Sequence, residues 1–414
     1  MVFSSPAVTG AVLALSIAIV AFTIFLIAYM TARRRWRTRD FQRIDLFRSL
    51  LPGAIQAADD SERGYEARLA KLRELLTGLL STSMALVLLE HASVPGEADA
   101  VLRIAQDLCF VESWHRGLGP APERAGGPRL ERRMRLRVPG YAARARSAAF
   151  LGRVREHSSW RLLVQALDDP HFDVREAALR SLAAIAEPES IPLIVERMKS
   201  TASPDASWMP ERAILAAWGQ FPIHFGAELL PLLRDSNAGL RRVSADCLIQ
   251  MLRCGKQRFG SAGLASAGPD VSQVVLTRLS KDEDSEVRAR AAILLSYAEG
   301  AVSEQTLRRL LEDSAWFVRL HAVRALGARK NPASIQVLAA RLTDTNWRVR
   351  EAAARALSTC GAEGLNLLAE TLFITHDRYA REQIMEEIEK SAGLGEVLEQ
   401  HAESSHSNGV KTMK

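Results

Sequence analysis

Apolar and polar residues alternate along the second half of the chain with the spacing of amphipathic helices. Short segments with one apolar face, such as VSQVVLTRLS (271–280) and ASIQVLAARL (333–342), each precede a polar turn that carries an aspartate. A second helix is predicted to begin near the next valine, because small and apolar residues then return at three- and four-residue intervals on one face. The pattern predicts an all-α chain built from helix pairs over residues 139–391.

The helix pairs form a repeat with a period of 31 residues. LLEDSAWFVRLHAVRALG (310–327) is followed, 31 residues later, by RLTDTNWRVREAAARALS (341–358). A fixed period of this size is typical of a solenoid, in which stacked neighbours cover the apolar stripe that a single copy cannot bury. Six positions recur in register: Asp313, Trp316, Val318, Arg319, Ala322 and Leu326 return as Asp344, Trp347, Val349, Arg350, Ala353 and Leu357.

The arginine of the recurring Val-Arg pair, called here the marker arginine, extends the register in both directions. It predicts about seven to eight repeats over residues 139–391, with extra residues between two copies supplied by a glycine-rich loop at 255–268. The marker arginines are Arg175, Arg241, Arg288, Arg319 and Arg350, although Leu240 replaces the valine before Arg241. Degenerate or terminal copies carry Arg144, Arg212 and Arg381 at this position.

The N-terminal region carries a different pattern, an unbroken apolar run. Residues 11–30 contain twenty residues without a charge, which matches the hydrocarbon thickness of a bilayer and predicts a single transmembrane helix. A cleaved signal peptide would need a basic start, and residues 1–10 contain no Lys or Arg. The arginines that follow the run predict an external N-terminus, a cytoplasmic solenoid and contact with anionic lipid. They are Arg33, Arg34, Arg35, Arg37 and Arg39.

The region between the predicted anchor and the repeats is less regular. Residues 31–60 are predicted to form a basic connector with a break at Pro52-Gly53, and residues 61–116 are predicted to be helical. The apolar run 75–89 is either a second span or a buried helix; its length of fifteen residues favours the buried helix. Residues 117–138 form a predicted Gly/Pro/Arg-rich linker, either a solvated segment or a site for an anionic partner. Residues 392–414 form a polar tail.

Composition narrows the function to non-catalytic classes. The net charge is only +6, and four cysteines stand apart without a C-x-x-C pair, which argues for reduced thiols and against a zinc site. No G-x-S-x-G, Walker loop or H-E-x-x-H is present. We therefore predict no enzyme activity, no cofactor and no metal. The basic segments lack interleaved aromatic residues, which argues against a nucleic-acid partner.

The D-x-x-x-x-V-R-x-x-A-x-x-x-L-G pattern resembles the HEAT repeat, in the short form of phycobilin lyase subunits. The resemblance implies a right-handed α-solenoid in which the aspartates bond the turns and the arginines form a ladder between repeats. One HEAT-repeat enzyme family, deoxyhypusine hydroxylase, holds two irons with His-Glu pairs, and this chain has no His-Glu dipeptide. The implied ladder consists of Asp169, Arg175, Asp235, Arg241, Asp282, Arg288, Asp313, Arg319, Asp344 and Arg350.

The second helices supply the candidate binding face. Five residues after a marker arginine lie Arg180, Arg324 and Arg355, and Glu176 and Glu351 follow a marker directly. These five residues are either a partner-binding face or a solvated face with intrahelical Glu–Arg pairs. A second recurring feature is the aromatic residue three positions after the aspartate, at Phe172, Trp316 and Trp347. This row is either a surface stripe that contacts a partner or packing between repeats, and its place in the turn favours packing.

Together these features predict a membrane-anchored scaffold or adaptor that binds a protein partner or supports a membrane-bound complex. The Arg- and Ala-rich composition indicates a bacterial inner membrane. The alternative is a chromophore- or cofactor-attachment subunit that resembles the phycobilin lyases, a possibility that depends on fold analogy alone.

Overall fold

The computed structural model describes residues 6–59, 64–76, 81–119, 140–200, 208–259 and 263–391. Within these ranges every regular element is an α- or 3₁₀-helix, so the all-α prediction is confirmed there. The predicted linker lies almost wholly outside the described residues, and the predicted tail lies entirely outside them. The chain divides into two compact units, residues 1–162 and 163–414.

The first unit is built on one long helix. Its helices are α1 (Pro6–Asp59), α2 (Tyr65–Leu75), α3 (Ser81–His91), α4 (Ala98–Asp107), α5 (Phe110–Leu118) and α6 (Tyr141–Arg153). Helix α1 packs against α2, α3 and α4, and α5 packs against α6. The C-terminal part of α1 contributes Phe47, Leu51, Ala54 and Ile55 to the core of this unit.

The predicted break at Pro52-Gly53 is wrong, because α1 runs through both residues. A proline inside a helix costs about 3 kcal/mol. Here Phe47, Leu51 and Ile55 flank the proline and are 0–5% exposed. Burial of side chains of this size is worth about 1.5–3 kcal/mol each, so tertiary packing outweighs the lost backbone hydrogen bond.

The apolar run 75–89 ends in a core helix. Met84, Leu88 and Leu89 of α3 are fully buried, and α3 packs against α1 and α4. Residues 77–80 lie outside the described residues. The choice between a membrane span and a buried helix is thus decided for the buried helix over Ser81–His91.

The predicted transmembrane segment 11–30 lies inside α1, but the side chains of residues 11–18 and of residue 20 lie outside the described residues. Its described side chains are exposed, among them Phe22, Phe25 and Ile27. In the part of the chain that the structure describes, no helix has the length and hydrophobicity needed to cross a membrane. The anchor therefore stays a prediction.

The second unit repeats one motif, a short first helix followed by a second helix. The first helices are α7 (Trp160–Ala166), α9 (Ile191–Ser200), α11 (Leu230–Leu233), α13 (Pro269–Thr277), α15 (Ala301–Leu310), α17 (Ile335–Ala339) and α19 (Ala362–Ile374). The second helices are α8 (Phe172–Ile185), α10 (Glu211–Trp218), α12 (Ala238–Phe259), α14 (Ser285–Leu295), α16 (Trp316–Arg329), α18 (Trp347–Ser358) and α20 (Arg378–Ser391). Unit 2 begins within α7.

Consecutive second helices pack against each other from α8 to α20. The residues three and seven positions after each complete marker arginine are fully buried, which is the reason that the 31-residue period is visible in the sequence. They are Ala178, Leu182, Ser244, Leu248, Ala291, Leu295, Ala322, Leu326, Ala353 and Leu357.

The predicted loop at 255–268 is largely helical, which corrects the sequence interpretation. Helix α12 continues to Phe259, and a 3₁₀ turn spans Leu264–Ala267; residues 260–262 lie outside the described residues. Both Leu264 and Ala267 are buried, and the N–H of Leu264 donates to the carbonyl of Tyr297 at 2.8 Å. The extra residues pack onto the stack because they carry their own apolar anchors.

Candidate partner-binding face

The turn before each second helix is closed by the recurring aspartate. In Asp282, Asp313 and Asp344 the Oδ1 atom accepts the backbone N–H of the residue two positions later, at 2.9–3.0 Å. Asp169 and Asp235 accept the equivalent N–H at 2.9 and 2.8 Å. Each carboxylate satisfies a donor that the first turn of the helix would otherwise leave without a partner.

Each marker arginine closes its own turn as well. In Arg241, Arg288 and Arg319 the Nη1 atom donates to the carbonyl of the aspartate of the same repeat, at 2.8–2.9 Å. Arg175 and Arg350 make the same bond at 2.8 and 2.9 Å. One guanidinium edge is therefore used inside every complete repeat.

The remaining edge of the guanidinium reaches the next repeat. Nε and Nη2 of Arg288 donate to the two oxygens of Asp313 at 2.6 and 2.8 Å. Arg319 binds Asp344 in the same bidentate way at 2.8 Å for both bonds. Arg241 binds Asp282 at 2.7 and 2.8 Å, across the inserted residues. These three pairs are called the ladder rungs below.

The ladder changes at both ends of this series. Nε of Arg175 donates to the carbonyl of Trp208 at 3.1 Å instead of to a carboxylate. The Nε atom of Arg350 lies 3.9 Å from Asp377, an ion pair too long for a hydrogen bond, and within the described residues this buried atom has no hydrogen-bond partner. The bidentate rungs are confined to the stretch from α12 to α18.

Burial and hydrogen bonding have opposite effects on the pKa of two of the rung aspartates, Asp313 and Asp344. Burial alone would raise the pKa of Asp313, but the bonds from Arg288 and from the N–H of Ala315 hold that pKa below its ordinary value. Asp344 follows the same balance, with burial opposed by Arg319 and by the N–H of Asn346. The hydrogen bond to Asp344 in turn raises the pKa of Arg319.

The ladder charges are not available to a partner. The side chains of Arg319 and Asp344 are only 12% and 4% exposed. In contrast, the side chains of Arg180 and Arg355, on the outer surface of α8 and α18, are 59% and 58% exposed. The marker-plus-five arginines therefore differ from the marker arginines in access to solvent.

The structure places the predicted face residues in two groups. Arg180 pairs with Glu176 on α8, an isolated intrahelical pair. Arg355 pairs with Glu351 at 3.0 Å on α18 and lies 3.6 Å from Glu387 of α20. Arg324, between them on α16, is exposed and has no carboxylate partner among the described residues.

Arg324, Glu351 and Arg355 come together around a groove between α16 and α18, called here the α16–α18 groove. Its volume is about 290 Å³. Lys330 and Thr359 complete its rim, and small residues form its floor: Gly327, Ala328, Ala352 and Ala356. The groove thus has an apolar floor and a rim on which three cations face one carboxylate.

Close helix approach creates the floor. A methyl group added at Gly327 would lie 2.5 Å from Cβ of Ala356, closer than side chains approach in folded proteins. The glycine therefore lets the backbones of α16 and α18 approach at this point. Sequence reasoning missed Gly327 and Lys330; the small residues at 327, 352 and 356 were the available signal.

Positive charge continues from the groove toward α12. The pKa of His321 is lowered, first by burial and then by the charges of Arg324, Arg290 and Arg253. Arg290 is balanced by Asp246 at 2.8 Å and by Glu286 at 2.6 Å. Asp246, which occupies the marker-plus-five position of α12, shows that the face is mixed rather than uniformly basic.

The aromatic row departs from the expected packing. Phe172 and Trp316 are partly buried, but Trp347 is 52% exposed. The guanidinium of Arg348 lies over both Trp316 and Trp347, 5.3 Å from each ring centre. Packing between repeats is therefore completed by an arginine, a contribution that the sequence pattern did not indicate.

Other candidate chemistry is sparse. The described residues contain no group of three or more His, Cys, Asp or Glu side chains that could hold a metal ion. Cys247 is fully buried, and burial raises the pKa of its thiol well above the ordinary value. A thiol in that state is a poor nucleophile.

Comparison with known families identifies the repeat. The family model described as HEAT repeats matches residues 135–209 and 272–388. The chain therefore contains HEAT repeats in both segments, and the resemblance found in the 31-residue pattern is confirmed at that level. No curated protein matches the chain.

Several solved structures are similar to this chain in fold. An engineered protein is 20% identical over 85% of this chain and 95% of its own, with a TM-score of 0.36. Human deoxyhypusine hydroxylase in complex with glycerol is 19% identical over 75% of this chain and 98% of its own, with a TM-score of 0.26. Yeast importin-beta is 11% identical over 79% of this chain and 47% of its own, with a TM-score of 0.40. At these values no binding property of this chain follows from the likeness.

Proposed function

We propose that this chain, whose repeats are HEAT repeats, is a non-catalytic scaffold that binds a protein partner on the surface of its second helices. The observation that carries the proposal is the division of its arginines into two sets. The ladder rungs bind the guanidinium groups of Arg241, Arg288 and Arg319. Arg324 and Arg355 stand exposed beside a groove with an apolar floor.

A repeated stack suits this role because it offers an extended surface without requiring a deep pocket. The α16–α18 groove, at about 290 Å³, lies at the lower limit of small-molecule pockets, which span about 300–1,000 Å³. It is bounded by α16, by α18 and by the residues that directly follow these helices, Lys330 and Thr359. Such a site suits side chains of a protein segment better than an enclosed metabolite.

The proposal includes attachment to a membrane through residues 11–30. The support is the sequence: twenty uncharged residues followed by Arg33, Arg34 and Arg39, with Arg35 and Arg37 between them. At 1.5 Å per residue, a helix of this length spans about 30 Å, the thickness of a bilayer core. The positive-inside rule then assigns the stack to the cytoplasmic side. The proposal of a bacterial inner membrane is based only on the Arg- and Ala-rich composition.

A role in chromophore or cofactor attachment is the alternative implied by the phycobilin-lyase form of the repeat. It has no supporting side-chain cluster in the described residues and is therefore treated as one outcome of the test of the scaffold.

The membrane anchor is tested by fractionation of cells that express the whole chain. We expect it to remain with membranes after a carbonate wash, whereas Ile19→Arg combined with Leu26→Arg should release it; retention of the double variant would contradict the anchor.

The scaffold is tested by affinity purification of the whole chain from detergent-solubilised membranes of its own host. The expected result is a stoichiometric protein partner that is lost when Arg324 and Arg355 are both changed to Glu in a folded variant. Copurification of a covalently or tightly bound chromophore, without a protein partner, would replace the scaffold with the attachment role. Partner binding that is unchanged in the folded double variant would remove the second-helix face from the proposal.

A further inference from the structure

The α16–α18 groove is more specific than a general binding face, because its shape and its charge favour one kind of occupant. We infer that it docks an acidic segment of a partner protein, with an apolar side chain on the alanine floor and carboxylates on the basic rim. The inference rests on the proposed scaffold function and names the chemistry of the partner at that site.

The floor is apolar and lacks long side chains. Gly327, Ala328, Ala352 and Ala356 line it, and Ala352 and Ala356 are only 9% and 7% exposed. Because a glycine and alanines leave room for an inserted side chain, an apolar residue of a partner can be buried there. Burial of one side chain the size of Leu or Val is a substantial share of the affinity of a short segment.

The rim selects for negative charge. Arg324, Lys330 and Arg355 face Glu351 alone among the residues that line the groove. Arg324 has no carboxylate partner among the described residues, so an arriving carboxylate need not displace an internal ion pair. Arg355 is already engaged by Glu351 and lies near Glu387, so its contribution to binding is smaller.

The surroundings give the bound segment a direction. On the α14 side, the exposed Arg253 adds positive charge, whereas Arg290 is paired with Asp246 and Glu286. On the other side, the charges of α20 are mixed, because Glu382 pairs with Arg378 and Glu386 pairs with Lys390. The carboxylates of the segment are therefore expected over Arg324 and toward Arg253 rather than over α20.

The same pattern disfavours a polyanion as the occupant. Nucleic acid and anionic bilayers present closely spaced phosphates, which favour an unbroken set of cations. Here Asp246, Glu286 and Glu351 are interleaved with the arginines. A protein segment can match an alternation of charges, whereas a uniform phosphate surface meets repulsion at each carboxylate.

The test uses the whole chain in detergent micelles and fluorescein-labelled synthetic peptides of twelve residues, monitored by anisotropy. The acidic probe carries a central leucine flanked by glutamates; the control probes replace the leucine with glycine or the glutamates with lysines. We expect saturable binding of the acidic leucine probe, at least tenfold weaker binding of both control probes, and weakening at higher salt.

Variants assign the binding to the groove. Arg324→Glu is expected to weaken binding of the acidic probe at least tenfold. Ala328→Trp, which fills the groove from an exposed position, should weaken binding equally without a change of charge. Arg180→Glu is the matched control, because Arg180 has the same repeat position, helical pairing and exposure as Arg355 but lies far along the stack on α8. It should change binding less than twofold.

Three results would overturn the inference: no binding of the acidic probe, equal loss in Arg180→Glu and Arg324→Glu, or displacement of the probe by duplex DNA or phosphatidylserine vesicles at lower charge equivalents than by unlabelled probe. Failure of the inference is separable from failure of the scaffold. If a protein partner copurifies with wild-type chain and with Arg324→Glu alike, the acidic-segment inference falls and the scaffold stands. If no partner copurifies at all, the proposed function falls.

Discussion

The interior ladder and the exposed second-helix face both contain arginines at recurring repeat positions, yet these arginines have different roles. Arg319 donates one guanidinium edge to its own turn and the other to Asp344, and its side chain is 12% exposed. Arg324 lies five residues later on the same helix and is exposed without a carboxylate partner in the described residues. Position on one helix, rather than residue type, separates a structural arginine from one that is available to a partner.

The comparison teaches that recurrence and function separate in a repeat protein. The three ladder rungs keep both partners in successive copies, because each carboxylate orders a turn and neutralises a buried guanidinium. The marker-plus-five position carries Arg180, Asp246, Ile293, Arg324 and Arg355 in successive complete copies. Its variation gives each segment of the stack a different surface.

The largest predicted effect is on the ladder. Arg319→Ala leaves Asp344 buried without its cation and removes a donor from the carbonyl of Asp313, so we expect a loss of about 3 kcal/mol in the free energy of unfolding. Arg324→Ala, on the same helix, should change stability by less than about 0.5 kcal/mol. Urea unfolding followed by circular dichroism measures both changes in stability. Equal losses of stability would contradict the distinction between the ladder arginines and the exposed arginines.

A smaller effect is predicted at the closest approach of α16 and α18. Gly327→Ala places a methyl group 2.5 Å from Cβ of Ala356 and 3.2 Å from its Cα, and overpacking of this kind costs about 1–3 kcal/mol. Adding Ala356→Gly removes the opposing methyl group. In a double-mutant cycle the two changes should therefore be coupled, with a double variant more stable than the sum of the single losses predicts. Strict additivity would mean that the two helices do not meet at this point.

The pH dependence of folding stability is also expected to distinguish the ladder from the exposed face. The lowered pKa of Asp313 and of Asp344 means that folding favours their ionised forms. Their contribution is therefore present above the pKa of an unfolded aspartate, about 3.9, and is lost as pH falls through the lower folded-state pKa. The stability difference between wild type and Arg319→Ala should shrink as pH falls from 7 to about 3, whereas a constant difference would show that the charge of Asp344 does not contribute.

The smallest effect is expected at the exposed pairs. Glu351→Ala removes the partner of Arg355, a half-exposed pair at i,i+4 spacing, and should cost about 0.3–0.5 kcal/mol, with a loss of that contribution at high salt. Glu176→Ala on α8 is the matched measurement at the equivalent position. A loss as large as that of Arg319→Ala would show that the exposed face is also structural.

The features that sequence reasoning recovered are local and repeated. The helix pairs and the positions of the ladder residues depend on periodic small and apolar residues and on an aspartate at each turn, so they are visible in the chain itself. Arg319 and Asp344, for example, lie in adjacent copies of one pattern, and stacking the copies in register brings them together.

The features that it missed depend on single residues and on distant packing. The core around Phe47 and Leu51 carries α1 through Pro52, although Pro-Gly usually ends a helix. Leu264 and Ala267 anchor a segment whose glycines predicted a loop. The groove depends on the contact between Gly327 and Ala356, two ordinary small residues until α16 and α18 are placed side by side.

The most direct test of the central claim compares partner binding with stability in two variants of the whole chain. Two properties are measured for Arg324→Glu and for Arg180→Glu: copurification of the partner from solubilised membranes, and stability in urea unfolding. We predict that Arg324→Glu unfolds within about 0.5 kcal/mol of wild type but loses the partner, while Arg180→Glu keeps both. A folded Arg324→Glu variant that retains its partner in full would contradict the claim that the exposed arginines beside the α16–α18 groove bind the partner.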